Sequence, residues 1–495
     1  MKYVAFDLGA SSGKLFEGVL RKGRLELTPV HSFANSIVRL GDGLYWDFMG
    51  IWREMCAGLR KAEQRGHVDA LGVDSFNNDF SLIGSDGALL APVRAYRDPR
   101  TLRHWDAIFA KISQRELYMR SGNQIAPFNT LMHLAAMGLD GQRHMLEGAR
   151  HLLMLPDLIG YYVTAREGIE YTLAAETELM DLRDRTWIDA LFRLYDIPKR
   201  LMPPLRLPGT VLGPSTAGFN ADCGIRGLQF VNVCEHDTAS AFIGSPLGER
   251  AVVISSGTWA LVGVEAPAPV IDEFTFAANI ANEGGPEGHH RVLRNVMGMW
   301  LIQELKRDYE RAGQRFSFPE IADMAAAAAP FAFPIDPDDP EFYLPGDMRD
   351  KVRRVSSREN GCAPETPAEF FRCVYEALAM KYRWVVELLE TAVGRRYEVI
   401  NIIGGGCQDK LLDQFTANAC AREVQAGPAD ASAIGNLLMQ MVAMGEVADI
   451  PAGRSVVARS FPMEVFHPDD ERAWTAQYAR YQRCFAQGGA ASTEG

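Results

Sequence analysis

Paired cysteines are missing from this chain of 495 residues: the eight at 56, 223, 234, 362, 373, 407, 420 and 484 stand scattered, with no CxxC pair. That usage excludes a disulfide framework and a cysteine-ligated zinc site, and predicts buried thiols in a reducing compartment. Positive charge is also short, with 51 lysines and arginines against 63 acids and a net charge of −12. An acidic surface repels phosphate backbones and anionic lipid, so neither nucleic acid nor membrane is expected as a partner. Long apolar runs are absent too. The longest small-apolar stretch, Met324 to Ile335, is interrupted by Pro330 and Pro334 and falls short of the roughly 20 residues of a membrane span. No secretory leader is legible, because Met1-Lys2 opens into a short apolar run that ends at Asp7. The expectation is a cytoplasmic chain.

What is present is ordinary for a globular protein, 47% apolar and 23% charged, and the length suits two to three domains of roughly 150 residues. Residues 3–8, 15–20 and 25–33 read as an antiparallel meander of three strands, with Gly9 and Lys22-Gly23-Arg24 at the turns. Helical patterns then alternate with short apolar runs: a helix over 51–64, a strand over 70–73, a helix over 102–119. Such alternation predicts α/β architecture. A second β-rich start follows at 251–255 and 260–264, then long amphipathic helices over 299–312 and 369–393. Each half therefore opens on strand, small-residue turn and strand. The proline-rich stretch 330–345 reads as a surface loop, and Asp469 precedes a final helix over about 471–485.

Four segments carry residue types suited to chemistry. Asp7-Leu8-Gly9-Ala10-Ser11-Ser12-Gly13-Lys14 joins two strands and lacks the ending of a Walker loop. Its small residues expose N–H groups, its serines and Lys14 add donors for phosphate oxygens, and Asp7 can hold Mg²⁺. Ser255-Ser256-Gly257-Thr258-Trp259 repeats the donor logic in the second half. Alone, each also reads as a plain hairpin; together they can grip a triphosphate. Ile402-Ile403-Gly404-Gly405-Gly406-Cys407-Gln408 places glycines between a strand and a helix, a close-approach site for a nucleotide or simply a tight connection. Glu235-His236-Asp237-Thr238 follows an apolar run; Asp237 can accept a proton from a substrate hydroxyl or merely cap the helix after it. His236 and the pair His289-His290 lack the partners of a zinc site. In chain order the four segments suit a bilobal ATP-dependent phosphotransferase, with the acceptor unspecified.

The same residues resemble the FGGY family of carbohydrate kinases, of the actin-like ATPase superfamily, and within it the branch acting on L-rhamnulose. The resemblance rests on VAFDLGASSGK (where that branch usually has arginine at Lys14), AYRDPRT at 95–101, RSGNQIAPFNTL at 120–131 and LLMLPDLIGYYVT at 152–164. It continues through HDTASAFIGSPL at 236–247, SSGTWALVGVE at 255–265, NIANEGGPEGHHRVLRNVMGMWLIQ at 279–303, GGGCQDKLLDQF at 404–415 and AGPADASAIGN at 426–436. It implies two actin-like, ribonuclease-H-like α/β domains around an interdomain cleft: residues 1–243 with sugar, first phosphate hairpin and catalytic base, residues 244–487 with ATP, and a disordered tail over 488–495. Asp237 then matches the catalytic base. Ala10, Ser11, Ser12, Gly13, Lys14, Thr258, Gln303 and Gly405 match ATP positions; His236, Asp237, Thr238 and Asn295 match sugar positions; Asp7 matches the acid associated with Mg²⁺. Tyr96, Asp98 and Arg100 lie in a segment that borders the sugar in related kinases. The implied reaction is ATP-dependent phosphorylation of L-rhamnulose at its C1 hydroxyl, in L-rhamnose catabolism, by a monomer or homodimer.

The chain departs from that branch at one sensitive place. Phe76-Asn77-Asn78-Asp79 stands where Trp-Gly-Val-Asp is usual, and the glycine replaced by Asn77 is a sugar-contacting position. An amide there adds donors and an acceptor and fills space, which can retune the sugar toward another ketose (L-fuculose, L-ribulose or L-xylulose). An actin-like ATPase without a sugar substrate and a sugar-sensing regulator are the competing classes. The plausible base in HDTASA speaks against the first, and the lack of a basic DNA-binding module before Asp7 against the second.

Overall fold

The computed structural model describes residues 1–490, and its chain divides into two units that are interleaved in sequence. Unit 1 takes Met1–Gly248, Glu265–Val292 and Ala431–Phe461; unit 2 takes Glu249–Val264, Leu293–Asp430 and the chain from Pro462. Residues 491–495 of the expected tail lie outside the described residues, and the helix Glu471–Ala490 takes in its first three.

Unit 1 is built on strands β1 (Lys2–Leu8), β2 (Ser12–Arg21), β3 (Arg24–Ala34), β4 (Ala70–Ser75), β5 (Thr210–Pro214) and β6 (Gln229–Asn232). They lie in the order β5-β6-β4-β1-β2-β3. The expected meander is there, β1 antiparallel to β2 and β2 to β3, while β4 runs parallel to β1 and β6 parallel to β4. Every residue of β4 is buried, as befits a parallel strand covered on both faces. The helix Phe48–Gln64 starts at Asp47, whose carboxylate accepts from Gly50 N, and buries Ile51, Met55, Leu59 and Ala62 along one stripe. The other face receives Ile434, Leu437 and Leu438 of the late helix Ala431–Ala443, packed among Tyr3, Ala5, Ala70 and Val231.

Unit 2 repeats the pattern with β7 (Ala251–Ser256), β8 (Trp259–Ala266), β9 (His290–Met297), β10 (Val399–Ile403), β11 (Glu423–Ala426) and β12 (Glu464–Phe466), six strands of a seven-stranded sheet in the order β9-β8-β7-β10-β11-β12, with the short strand Ala281–Gly284 at the β9 edge. Here too a hairpin, β7 with β8, joins parallel strands, β10 beside β7 and β11 beside β10. The helix Pro367–Val393 opens with a reciprocal capping box between Thr366 and Glu369 and buries Phe370, Phe371, Val374 and Leu378.

Two expectations are corrected. The helix over 102–119 is three short helices, Arg100–Arg103, Trp105–Phe109 and Gln114–Ser121. The last is started afresh by Ser113, whose side chain accepts from Glu116 N, so the hydrophobic periodicity runs across two interruptions of the helix. The stretch 330–345 is irregular but not superficial: Ile335 and Phe342 are fully buried, and Asp336 pairs with buried Lys381 at 2.8 Å. Among the described residues no helix is long and apolar enough to cross a membrane.

Candidate active site

In unit 1 the candidate residues gather at one end of the central strands. Asp7 is the next-to-last residue of β1, opposite Lys14 on β2 and beside Asp74 on β4. The intervening turn is tight: Gly9 N donates to Ser12 O at 2.9 Å. Asn35 clamps it from β3's end, donating its backbone N to Ser11 O and its Nδ2 to Gly9 O. Ala10 and Ser11 are exposed, Ser12 and Lys14 half-buried. Gly13 has no room for a side chain, since a Cβ would meet the Phe33 ring at 2.3 Å. The turn thus presents backbone and short side chains, as a phosphate site requires.

Asp74 was not singled out by sequence. Its side chain is fully buried and accepts from Asn436 Nδ2 at 2.6 Å, while its other oxygen has no hydrogen-bond partner. Burial, and after it the charges of Asp7 and Asp237, push its carboxyl well above the usual range. Three carboxylates therefore share one electrostatic neighbourhood, and oxygen donors of this kind suit a hard divalent cation.

Asp237 arrives at the same end. Ser75 N donates to Glu235 O at 2.9 Å, joining the end of β4 to the segment after β6. Asp237 is the first helical residue of Asp237–Gly244, with His236 at the cap position and no side-chain cap bond; the capping alternative does not hold. Its side chain remains 30% exposed, its Oδ1 accepts from Thr238 Oγ1 at 3.1 Å, and burial raises its pKa.

His236 is enclosed. Its Nδ1 lies 3.2 Å from Arg291 Nη2, its Nε2 lies 3.5 Å from Asp237 Oδ1, and its backbone N donates to Thr172 Oγ1. Burial, then the Arg291 charge, holds its pKa well below that of a free imidazole. Glu176, His236 and Glu283 bring ligand-type atoms together, but the Arg291 guanidinium stands among them, 2.7 Å from Glu283 and 3.5 Å from Glu176. Asn77 joins this group, donating Nδ2 to Glu176 at 3.4 Å. Phe76 stacks on Trp46 at 4.6 Å, with half-buried Tyr96 next to it. Asp98 and Arg100 are committed inside the fold: Asp98 accepts from Leu44 N and Arg100 N, and Arg100 reaches His133.

Unit 2 gathers the other half of the candidates. In the turn between β7 and β8, Gly257 N donates to Trp259 O at 2.8 Å and Thr258 is exposed. The start of the helix Trp300–Arg311 is tied to that turn, Met299 N on Gly257 O and Trp300 N on Thr258 O, so Thr258 and Gln303 of that helix belong to one substructure. The glycines after β10 divide their roles. A Cβ at Gly404, whose φ is +81°, would meet Ser256 O at 2.8 Å, and one at Gly406 would meet Ser256 Oγ at 2.0 Å; around Gly405 there is open space. The outer two pack on the β7–β8 turn and the middle one shows bare backbone. Asp409 then caps the helix Lys410–Cys420 through Leu412 N, so the segment is a tight strand-to-helix connection. Asn295 is half-buried on β9, in unit 2.

Residues 2–244 match the profile of the FGGY family of carbohydrate kinases, N-terminal domain, and residues 252–444 match that family's C-terminal domain. The chain belongs to the FGGY family of carbohydrate kinases. It is similar to a rhamnulokinase of Bacteroides thetaiotaomicron, 36% identical over 484 residues that cover 97% of this chain and 99% of that protein. A rhamnulokinase of Enterococcus faecalis is 36% identical over 94% of each chain. In fold it is similar to a xylulose kinase of Lactobacillus acidophilus (TM-score 0.83, 16% identity, 99% of each chain) and to Plasmodium falciparum glycerol kinase with ADP (TM-score 0.79, 14% identity, 98% of each chain). The FGGY fold accounts for the repeated actin-like sheet pattern, and membership in a sugar kinase family sets aside the ATPase and sensor alternatives.

Proposed function

We propose that this FGGY kinase transfers the γ-phosphoryl group of ATP to the C1 hydroxyl of L-rhamnulose, giving L-rhamnulose 1-phosphate and ADP. The observation that carries the reading is Asp237: a carboxylate with an exposed tip, at the strand ends that also hold the Asp7–Lys14 turn. Asp237 takes the hydroxyl proton as the sugar oxygen attacks the γ-phosphorus and the bond to the bridging oxygen of ADP breaks. His236 and Thr238 flank the base and orient the hydroxyl; Asn77 and Asn295 are the further sugar positions. N–H groups of Ala10 to Gly13, with the Lys14 ammonium, receive phosphate oxygens. Thr258, Gln303 and the bare backbone at Gly405 hold the nucleotide in unit 2.

The carboxylates of Asp7 and Asp74, with the unpartnered Asp74 oxygen, fit Mg²⁺, and Asp7 is the residue assigned to hold it. Bound there, Mg²⁺ would offset the charge of the β- and γ-phosphates. The name of the sugar comes from the similar rhamnulokinases. A second ketose is favoured by one observation: Asn77 places an amide bound to Glu176 where that branch usually has glycine. The test is ADP release with Mg-ATP and a panel of ketoses against a no-sugar control. The highest kcat/KM on L-rhamnulose sustains the reading, a tenfold preference for another ketose renames the substrate, and equal ADP release without sugar overturns it.

A further inference from the structure

We propose that Arg291 is a positioning residue for this reaction: by donating to Nδ1 of His236 it fixes the neutral imidazole with its proton on Nε2, facing the carboxylate of Asp237. This rests on the reading of Asp237 as the base. The role is not expected from the sequence, where Arg291 sits 54 residues beyond Asp237 in a glycine-rich segment.

The geometry restricts the guanidinium and the ring alike. Arg291 is 2% exposed and is held from three sides. Its Nε and Nη2 both donate to Gly284 O at 3.1 Å, its Nη1 lies 2.7 Å from Glu283, and its plane lies near the Phe242 ring at 5.9 Å. Nη2 also reaches Glu176 Oε1 at 3.5 Å and, closer, His236 Nδ1 at 3.2 Å, while the Glu283 and Glu176 carboxylates lie farther from Nδ1, at 3.6 and 3.8 Å. A guanidinium has five donors and no acceptor, so the nitrogen that it meets must carry a lone pair. A ring with Nδ1 unprotonated and no second proton is the neutral Nε2–H tautomer. The His236 backbone is anchored separately, its N donating to Thr172 Oγ1 at 3.1 Å.

That leaves Nε2 aimed at Asp237 Oδ1, 3.5 Å away. Hydrogen bonds around a base are commonly long without substrate and tighten in the reacting complex. An Nε2–H donor keeps one carboxylate oxygen oriented, and the other is then the proton acceptor for the sugar hydroxyl. The opposite tautomer would turn a lone pair toward the carboxylate and push it away. Glu176 and Glu283 serve the arrangement by balancing the buried cation, so the cluster that resembles a metal site already holds its positive charge. Asn77 donates to the same Glu176, which ties the sugar-pocket departure to the base through Glu176, Arg291 and His236.

The test uses full-length protein labelled with ¹⁵N in histidine, the His236 signals assigned by His236→Gln. Wild type should show an unprotonated Nδ1 and a protonated Nε2 near neutral pH; a protonated Nδ1 overturns the proposal whatever the activity. In parallel, Arg291→Met should lower kcat about 10²-fold through misplacement of the base, and Arg291→Lys, which keeps a charge and a donor, about tenfold. KM for ATP should stay within about twofold in both, because the nucleotide positions are untouched. A folded Arg291→Met protein with wild-type kcat overturns the role, and if neither variant folds the ring signals of wild type decide. Wild-type protein that phosphorylates no ketose while showing the expected tautomer would instead remove the kinase reading on which the role depends.

Discussion

The two sheets share a six-strand pattern, β3-β2-β1-β4-β6-β5 and β9-β8-β7-β10-β11-β12, to which the second adds the edge strand Ala281–Gly284, yet their strand ends carry different chemistry. In unit 1 the central strands carry carboxylates at or near their ends, Asp7 next to last in β1, Asp74 next to last in β4 and Asp237 beyond β6. In unit 2 the equivalent ends are a serine-threonine turn after β7 and three glycines after β10. A hairpin beside parallel strands leaves exposed N–H groups and side chains together at one edge, whatever the sequence there. In the proposed reaction unit 1 would use that edge for side-chain charge and proton transfer, and unit 2 would use it for backbone presented to the nucleotide. The difference teaches that fold alone assigns no role to an edge; the residues at the strand ends do.

The comparison breaks first at Asp237. Asp237→Asn keeps the shape, the helix start and the Thr238 contact, and removes the proton acceptor. The expected result is a loss of about 10²–10⁴ in kcat with ATP affinity close to wild type, read by ADP release and by nucleotide titration. Near-normal turnover would move the chemistry away from the unit 1 strand ends.

Unit 1 supports its charged edge on further buried acids. Asp157, Glu170 and Glu235 lie beneath it: Glu170 N donates to Asp157 Oδ1, and Glu235 N to Glu170 Oε2. Burial pushes the Glu170 carboxyl up to about 7 from an ordinary 4.5. The folded state therefore binds a proton that the unfolded chain has released. Its contribution is complete below about pH 4.5 and is lost as pH rises through 7. Between about pH 5 and pH 8 wild type should lose up to roughly 3 kcal/mol of unfolding free energy from this group. Glu170→Gln, locked in the neutral form, should show a flatter profile in urea unfolding. Parallel profiles for the two proteins would show that the proton resides elsewhere in the triad.

These contrasts also measure what the sequence conveys. The meander, the alternation and the glycine turn are local patterns, and they are legible because periodicity and turn residues act over a few neighbours. The segments that hold Asp237 and Gly405 stand out because each follows a mostly apolar run, Phe230–Cys234 and Val399–Ile403. The Asn436 contact to Asp74 joins residues 362 apart, and Arg291 meets Glu176 across 115; no local pattern encodes such meetings. The broken helix over 102–119 shows the converse error, apolar spacing continuing smoothly across residues that the backbone uses for new caps. The 330–345 stretch was misplaced because prolines mark irregular backbone but say nothing about its depth.

The unit 2 edge has its own test. Gly406→Ala drives a methyl into Ser256 and should cost about 1–3 kcal/mol of stability by overpacking, with weaker ATP binding because the glycine turn is displaced from the β7–β8 turn. Gly405→Ala enters open space and should fold as wild type while still crowding the nucleotide. Calorimetric ATP titration and urea unfolding of both variants separate the two roles, and equal loss of stability in the pair would deny the division among these glycines.

The smallest expected effect lies at Asn77, and it sharpens the comparison most finely. Asn77→Gly removes the amide from Glu176 and opens the volume that its side chain fills, while Asp237, Lys14 and the unit 2 glycines stay as they are. Phosphoryl transfer should therefore continue at a similar kcat, and the ratio of kcat/KM between L-rhamnulose and a second ketose such as L-fuculose should shift by about tenfold, or ~1.4 kcal/mol. The direction is informative because a polar site discriminates by leaving its own groups unpaired with the wrong ligand. A shift toward L-rhamnulose would mean that Asn77 had narrowed the pocket for a different sugar. A shift away would mean that its amide meets a hydroxyl of L-rhamnulose itself. An unchanged ratio would place sugar choice outside the Asn77–Glu176 pair and leave that pair as support for Arg291.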